Sequence, residues 1–169
     1  FSDKKIMAEE TFSQIGRTEA VRQLFEGTGY SPDGHCTLRV AKGTGSVVNS
    51  TVMMTEGIDF DLTYFPLKHL GYKAVIMATG EIYAAMAKPR TLAVRLGISS
   101  KLDFAKVREL WEGMTAAAKR HAYAGLSLDL LPSVNGLNIS ISAMGERLHL
   151  TETRRMPAKS MDLICVSGN

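Results

Sequence analysis

The sequence has little of what would assign a protein to a specialised class. Its 169 residues include only two cysteines, and the formal net charge is +3. Such a mild charge gives no reason to expect nucleic acid or a membrane surface as a partner. No apolar run reaches the ~18 residues of a membrane-spanning helix. The first residues, FSDKKIMAEE, show no signal-peptide pattern. We therefore expect a cytoplasmic protein.

Motifs for common site chemistry are also scarce. Cys36 and Cys165 each lie in an apolar, strand-like segment, so we interpret them as reduced core residues and not as a disulfide or metal site. The four histidines are widely spaced and show no zinc pattern. The segment KGTG at Lys42–Gly45 is rich in glycine but lacks the spacing of a P-loop, which favours a plain hairpin turn.

What the chain does have is a globular composition. It is 45% hydrophobic and 22% charged, and its length suits one domain with a substantial core. We expect a mobile arm at residues 1–14 and one domain at residues 15–169.

The longest apolar stretch begins at Pro66, a residue that suits the first turn of a helix because its missing N–H has no partner there. Apolar residues then recur at steps of three and four, which predicts a helix buried on most sides. Gly80 interrupts this pattern at a cost of about 1 kcal/mol relative to alanine. We expect close helix packing at Gly80, or else the approach of other backbone or a ligand. Lys88-Pro89 should end the helix, because the residue before proline avoids the helical region.

The remaining periodic segments predict an α+β domain in which helices pack on one face of a mixed sheet. From the first strand onward the predicted order is β-β-α-β-α-β-β. Residues 123–131 are interpreted only as a short apolar segment closed by a proline, and the last strand is apolar on both faces and so expected to be central. The predicted elements are a helix at Thr18–Phe25, strands at Cys36–Val40, Val47–Met54 and Thr91–Ile98, a helix capped by Ser100 and Asp103 with a stripe from Phe104 to His121, and strands at Leu137–Met144 and Asp162–Val166.

Five acids lie in loops or at element ends, where metal–phosphate chemistry places its ligands. Their spacing alone does not favour such a site. From the residues by themselves, the sequence indicates a globular α+β domain and nothing sharper. The acids are Glu56, Asp59, Asp61, Glu81 and Asp129.

Three segments resemble a known family in the correct order. The first joins a Glu56-Gly57 loop containing Phe60 and Asp61 to PxxxLGYKA, which begins at Pro66. The second, within Asn135–Glu146, is GLNISISAMGE, where the family has GLxISxTAxGE; the third is DLICVSG at 162–168, where the family has DLIxVTG. The chain thus resembles the N-terminal domain of the AIR synthase (PurM-like) superfamily, and thiamine-monophosphate kinases most closely.

The resemblance implies a fold, partners and an activity. Family members pair the sheets of two N-terminal domains into a barrel-like dimer, bind ATP and Mg²⁺ on that domain, and complete the site with a second domain. The family reaction is phosphoryl transfer from ATP to thiamine monophosphate, giving thiamine diphosphate. The resemblance thus predicts a homodimer formed through the sheet, at the exposed face of Cys36–Met54 and at Asn138–Met144. The family's second domain begins just after DLIxVTG, and we expect it to be absent from this chain.

Departures from the family pattern concern the metal-binding acids. The family's GDDAA turn corresponds to KGTGSVV, and its TTD corresponds to Ser50-Thr51-Val52. Its Asn-x-Ser-Asp corresponds to residues 78–81, where Glu81 keeps the acid, and its GGDTT corresponds to residues 127–131, where Asp129 keeps the acid. Roughly three of five metal-holding acids are therefore replaced, which puts both ATP and Mg²⁺ binding in doubt.

Two hypotheses follow. In the first, the chain is the ATP-binding and dimerisation half of a thiamine-monophosphate-kinase-like protein and is not catalytic alone. Glu81 and Asp129 would then hold the metal, and Thr51, Glu56, Gly57 and Asp129 would contact the cofactor. In the second, the chain is a non-catalytic dimeric scaffold or regulatory relative that has lost the metal–ATP site.

Overall fold

Four helices and four strands account for most of the chain that the computed structural model describes, which comprises residues 12–32, 44–148 and 158–166. In chain order they are α1 (Phe12–Ile15), α2 (Arg17–Phe25), β1 (Thr44–Thr55), α3 (Leu67–Ala84), β2 (Lys88–Ile98), α4 (Phe104–Arg120), β3 (Gly125–Pro132) and β4 (Asn138–Leu148).

The four strands form one mixed sheet in the order β1-β4-β2-β3. Strand β4 runs antiparallel to both β1 and β2, whereas β2 and β3 are parallel. A parallel pair needs a crossover connection, and α4 supplies it between β2 and β3. The prediction of a mixed α+β sheet is therefore confirmed. The described strands form an open sheet and not a closed barrel.

Alternating burial gives the sheet two different faces. On β2, Leu92, Val94 and Leu96 are at most 1% exposed, and the residues of matching parity on β3 and β4 are also buried. Helix α3 covers this inner face: a Cβ placed on Gly145 of β4 would lie 2.5 Å from Ile82 Cγ2. The inner face is thus the sheet side of the hydrophobic core.

Two glycines allow α4 to pack closely on α3. A Cβ on Gly71 would lie 2.0 Å from the Leu110 carbonyl oxygen, and one on Gly113 would lie 1.9 Å from the Lys68 carbonyl oxygen. Gly80, where the sequence predicted a close approach, has no described atom within 4 Å of that position. Close packing by a helix or by other backbone at Gly80 is therefore wrong, because Gly80 lies on the exposed side of α3, and the approach of a ligand there stays a prediction.

Both long helices begin near the predicted residues. Pro66 is the N-cap of α3, but the helix ends at Ala84, and Lys88-Pro89 already belongs to β2. Asp103 is the N-cap of α4, and its side chain accepts a hydrogen bond of 2.8 Å from the Lys106 backbone N–H. That bond satisfies one of the free N–H groups at the helix start. Helix α1 begins inside the segment predicted as an arm.

Two predictions about strands are wrong. Residues 123–131, interpreted as a short apolar segment, contain most of β3, whose inner-face leucines alternate with Ser127 and Asp129. Asp162–Val166, predicted as a central strand, is not a strand, and Leu163 and Ile164 are at least 90% exposed. Cys165 is an exposed free thiol and not a core residue. Apolar composition alone does not specify a strand partner, and the described sheet β1-β4-β2-β3 does not include this segment.

The predicted strand Cys36–Val40, including Cys36, lies outside the described residues, as does the first half of the predicted KGTG turn. Thr44 and Gly45 of that turn are the first residues of β1. Within the described ranges, no helix is both long and apolar enough to cross a membrane.

Candidate functional site

The sheet face turned away from α3, here called the outer face, carries small polar side chains. The strand register aligns two rows across all four strands. One row is Thr51, Ser142, Ala93 and Ser127, and the next row is Met53, Ser140, Arg95 and Asp129. Two of the predicted site residues, Thr51 and Asp129, therefore share this face at opposite edges of the sheet.

Asp129 does not stand alone on the outer face. Its carboxylate forms an ion pair with the guanidinium of Arg17, the first residue of α2, and the two side chains are 38% and 59% exposed respectively. Helix α2 is positioned at this edge by the aromatic contact between Phe25 and Trp111 of α4, whose ring centroids lie 5.2 Å apart. The acid predicted to bind metal is thus already paired with a cation.

Thr51 is exposed on β1, and its Oγ1 lies 3.0 Å from the Ser142 Oγ of the neighbouring strand. Hydroxyl pairs of this kind stabilise adjacent strands and can also donate to a bound anion. The position predicted to contact a cofactor is therefore accessible.

Glu56 and Gly57 form the loop that follows β1. The Leu137 backbone N–H donates to Glu56 Oε2 at 2.7 Å, and the Glu56 N–H donates to the Leu137 carbonyl at 3.0 Å. Gly57 has a φ of +83°, a backbone conformation that favours glycine, and its N–H donates to the Phe60 carbonyl at 2.8 Å. Glu56 thus ties this loop to the start of β4, a structural task that occupies one carboxylate oxygen.

Glu81, the other predicted metal ligand, lies on the opposite side of the sheet. It is on α3, and its Oε2 accepts a hydrogen bond of 2.5 Å from the Oγ of Ser50, a buried residue of β1. Strands β1 and β3 are separated by three strand spacings, about 14 Å. One copy of the chain therefore does not bring Glu81 and Asp129 together.

The described residues do not assemble a magnesium site. Ranges 12–32, 44–148 and 158–166 contain no group of three or more His, Cys, Asp or Glu side chains that could hold a metal ion. Asp129 is paired with Arg17, and Glu81 is bonded to Ser50. Since Mg²⁺ needs several oxygen ligands in near-octahedral geometry, these two separate acids do not fit it within one copy.

Sequence reasoning missed the two arginines near Asp129. Arg95 is the register partner of Asp129 on the adjacent parallel strand, and it is exposed. The alternating pattern of β2 places Arg95 on the outer face, but it does not identify Asp129 of β3 as the neighbouring residue. Arg17 lies 112 residues from Asp129, so no local pattern could reveal their contact.

A second polar cluster lies where β2 begins and β4 ends. Arg90 donates to Glu146 Oε1 at 3.1 Å, while Glu146 is only 5% exposed and its Oε2 has no hydrogen-bond partner among the described residues. Arg147 donates from Nε to the Ala85 carbonyl at 2.8 Å, which places a cation at the C-terminal end of α3. These contacts join the sheet to the helix end and show no convergence of groups for catalysis.

Comparison with known proteins gives consistent matches. The family model "AIR synthase related protein, N-terminal domain" matches residues 33–146. Thiamine-monophosphate kinase of Bacillus subtilis (strain 168) is 27% identical over 115 residues, which cover 68% of this chain and 35% of that relative.

Solved structures share the fold. AaThiL complexed with AMPPCP and TMP has a TM-score of 0.54 at 17% identity, covering 83% of this chain and 45% of that one. The hydrogenase maturation protein HypE of E. coli has a TM-score of 0.57 at 16% identity, covering 74% and 42% respectively. The chain thus spans less than half the length of each of these relatives.

Proposed function

Because the chain belongs to the AIR synthase related family through that family's N-terminal domain, we propose that it is the ATP-binding and dimerisation half of a thiamine-monophosphate-kinase-like protein. The family reaction would be ATP-dependent phosphorylation of thiamine monophosphate to thiamine diphosphate. The observation that carries the proposal is the family match over residues 33–146, which includes the sheet and α3.

Nucleotide binding is supported by similarity and by the outer face. A protein of the same fold binds AMPPCP, a nucleotide analogue, together with TMP. In this chain Thr51 and Asp129 would contact the nucleotide from the outer face, and Glu56 and Gly57 would contribute from the loop after β1. The ligand that we propose for Thr51 and Asp129 is therefore a small phosphorylated molecule.

Catalysis by this chain alone is not part of the proposal. Phosphoryl transfer needs cations to neutralise the charge between phosphates. Glu81 and Asp129 are the acids that the family pattern assigns to magnesium, but in one copy they lie on opposite faces of the sheet and do not fit that ion. The chain spans 35% of the Bacillus relative, so the second domain of the family would supply the rest of the site.

Dimerisation is proposed through the β1–β4 half of the outer face. Val47 and Met53 of β1 are 47% and 67% exposed there. Met144 of β4 lies beside Asn49 of β1. Apolar side chains on an accessible sheet face favour pairing with a second such face. A cytoplasmic location completes the proposal, since an exposed free thiol such as Cys165 persists best in a reducing compartment.

A second candidate function rests on the same geometry. The separation of Glu81 from Asp129 favours a non-catalytic dimeric scaffold or regulatory relative in which the fold was kept and the metal–ATP site was lost. This candidate and the first one differ in a single property, the binding of ATP.

Calorimetric titration with ATP, with and without Mg²⁺, tests the proposal. We expect saturable binding that Asp129→Ala weakens. The surface variant Glu112→Gln is a matched control because Glu112 pairs only with Lys68 at 3.4 Å on the helix layer. Heats equal to those of buffer, with and without Mg²⁺, would reject ATP binding and favour the scaffold.

A further inference from the structure

We propose that Arg17 and Arg95 form a polyphosphate-binding site on the β2–β3 half of the outer face that works without magnesium. This inference rests on the proposed function, because it names the groups that would hold the nucleotide's phosphates. It assigns to two guanidinium groups the charge neutralisation that a metal ion supplies when acidic ligands are present.

Arg17 reaches this face from outside the sheet. Its Nη2 pairs with Asp129 Oδ1, and the side chain remains 59% exposed. A guanidinium has five N–H donors, so a contact through one nitrogen leaves others for a ligand. Asp129 thus holds Arg17 in place at the sheet surface without using up its donors.

Arg95 lies directly beside this ion pair. It is the register partner of Asp129, and both side chains point away from the buried inner-face residues that flank them. Within the described part of the chain, Arg95 is exposed and forms no ion pair with any acid. An exposed guanidinium in such a position can bind an anion.

The charges of this cluster favour an anion over a cation. Arg17 pairs with Asp129 and Arg95 is its register neighbour, so these three groups carry one excess positive charge, which would repel a Mg²⁺ ion approaching Asp129. Arginine's planar fork matches the oxygen spacing of a phosphate. A polyphosphate chain is therefore the ligand class that fits.

Hydroxyl groups extend the same surface toward β1. Ser140 is the register partner of Arg95 on β4, and Ser127 lies two residues before Asp129 on β3. These hydroxyls can donate to phosphate oxygens. The surface around the two arginines is therefore polar and suits an extended polyphosphate.

The test is titration of the full 169-residue chain with inorganic tripolyphosphate in EDTA, comparing the unmodified protein with Arg17→Gln and Arg95→Gln. We expect binding that each substitution weakens about tenfold, as for loss of one charge-assisted hydrogen bond. Arg108→Gln is the matched control: it removes the same charge from α4, where Arg108 stacks on Phe104 at 4.9 Å. Thermal melting checks that each variant is folded. Because the two arginines lie on different elements, a single local distortion would not weaken binding in both variants.

The outcomes separate this inference from the proposed function. Unchanged tripolyphosphate affinity in both folded variants overturns the arginine site, even if ATP binds elsewhere. Tighter Mg²⁺-dependent ATP binding in Arg17→Gln also overturns it, because Arg17 would then be competing with the metal. Tripolyphosphate binding that depends on both arginines, with no measurable preference for ATP over tripolyphosphate, supports the site and counts against the nucleotide-binding function.

Discussion

Ser50 on β1 donates a hydrogen bond of 2.5 Å to Glu81 on α3, whereas Asp129 lies across the sheet and on its other face. The two acids that survive from the family's metal-binding pattern therefore serve different local structures. One joins a helix to the inner face, and the other anchors an arginine on the outer face. This separation underlies the proposal that the chain binds a phosphorylated ligand without catalysing transfer alone.

The first prediction concerns helix packing. Gly71→Ala should destabilise the fold by about 1–3 kcal/mol, as typical overpacking does, because its Cβ would lie 2.0 Å from the Leu110 carbonyl oxygen. Gly80→Ala is the matched control, since nothing described lies within 4 Å, and it should stabilise α3 by up to about 1 kcal/mol. Urea unfolding measures both. Equal stabilities for the two variants would contradict the close packing of α3 and α4.

The second prediction concerns the structural role of Glu56. Glu56→Ala should cost about 1–3 kcal/mol of stability, because the Leu137 N–H loses its acceptor at 2.7 Å. Asp59→Ala provides a comparison within the same loop, where the Thr55 N–H loses its bond of 2.7 Å to the carboxylate. A fully stable Glu56→Ala protein in chemical denaturation would show that this bond does not hold the loop.

The third prediction concerns alkaline pH. Burial raises the pKa of Tyr123, although its hydroxyl also lies 2.9 Å from Thr79 Oγ1. A raised pKa favours the neutral phenol in the folded state, so its contribution is complete below the unfolded pKa of about 10 and is lost as pH rises above that value. Tyr123→Phe should therefore lose less stability than the unmodified chain as pH rises from about 10 to about 12. Parallel losses in the two proteins would contradict this assignment.

The fourth prediction concerns the dimer. Met53→Glu places a charge on the outer face at a side chain that is 67% exposed, and it should shift the chain from dimer to monomer because burying an unpaired charge is costly. Met86→Glu is the matched control, since Met86 is 53% exposed at the end of α3. Sedimentation velocity distinguishes the species. A monomeric unmodified chain, or a dimer unaffected by Met53→Glu, argues against pairing through this face.

Local periodicity predicted the elements that bury one face and expose the other. Helix α4 buries Phe104, Val107 and Leu110, the residues of its predicted stripe. Helix α3 likewise begins where Pro66 indicated. In both helices, side chains three or four positions apart share a face, so the pattern carries the answer within the segment itself.

Pairing and long-range contacts could not be predicted in the same way. Asp162–Val166 is apolar enough for a buried strand, yet hydrophobicity does not specify which strand it pairs with, and these residues are exposed. The acids Glu81 and Asp129 were identified from the family pattern, but their opposite sides of the sheet follow from the packing of α3 on the inner face and from the register of β3. Arg17 was missed because its contact spans 112 residues.

The most direct test of the account is calorimetric titration of the unmodified chain with ATP, first in EDTA and then with excess Mg²⁺. We predict saturable binding in EDTA that Mg²⁺ does not strengthen, because Arg17 and Arg95 supply the positive charge at Asp129. Binding that appears only with Mg²⁺ would contradict the arginine site, and no binding under either condition would contradict the nucleotide-binding function itself.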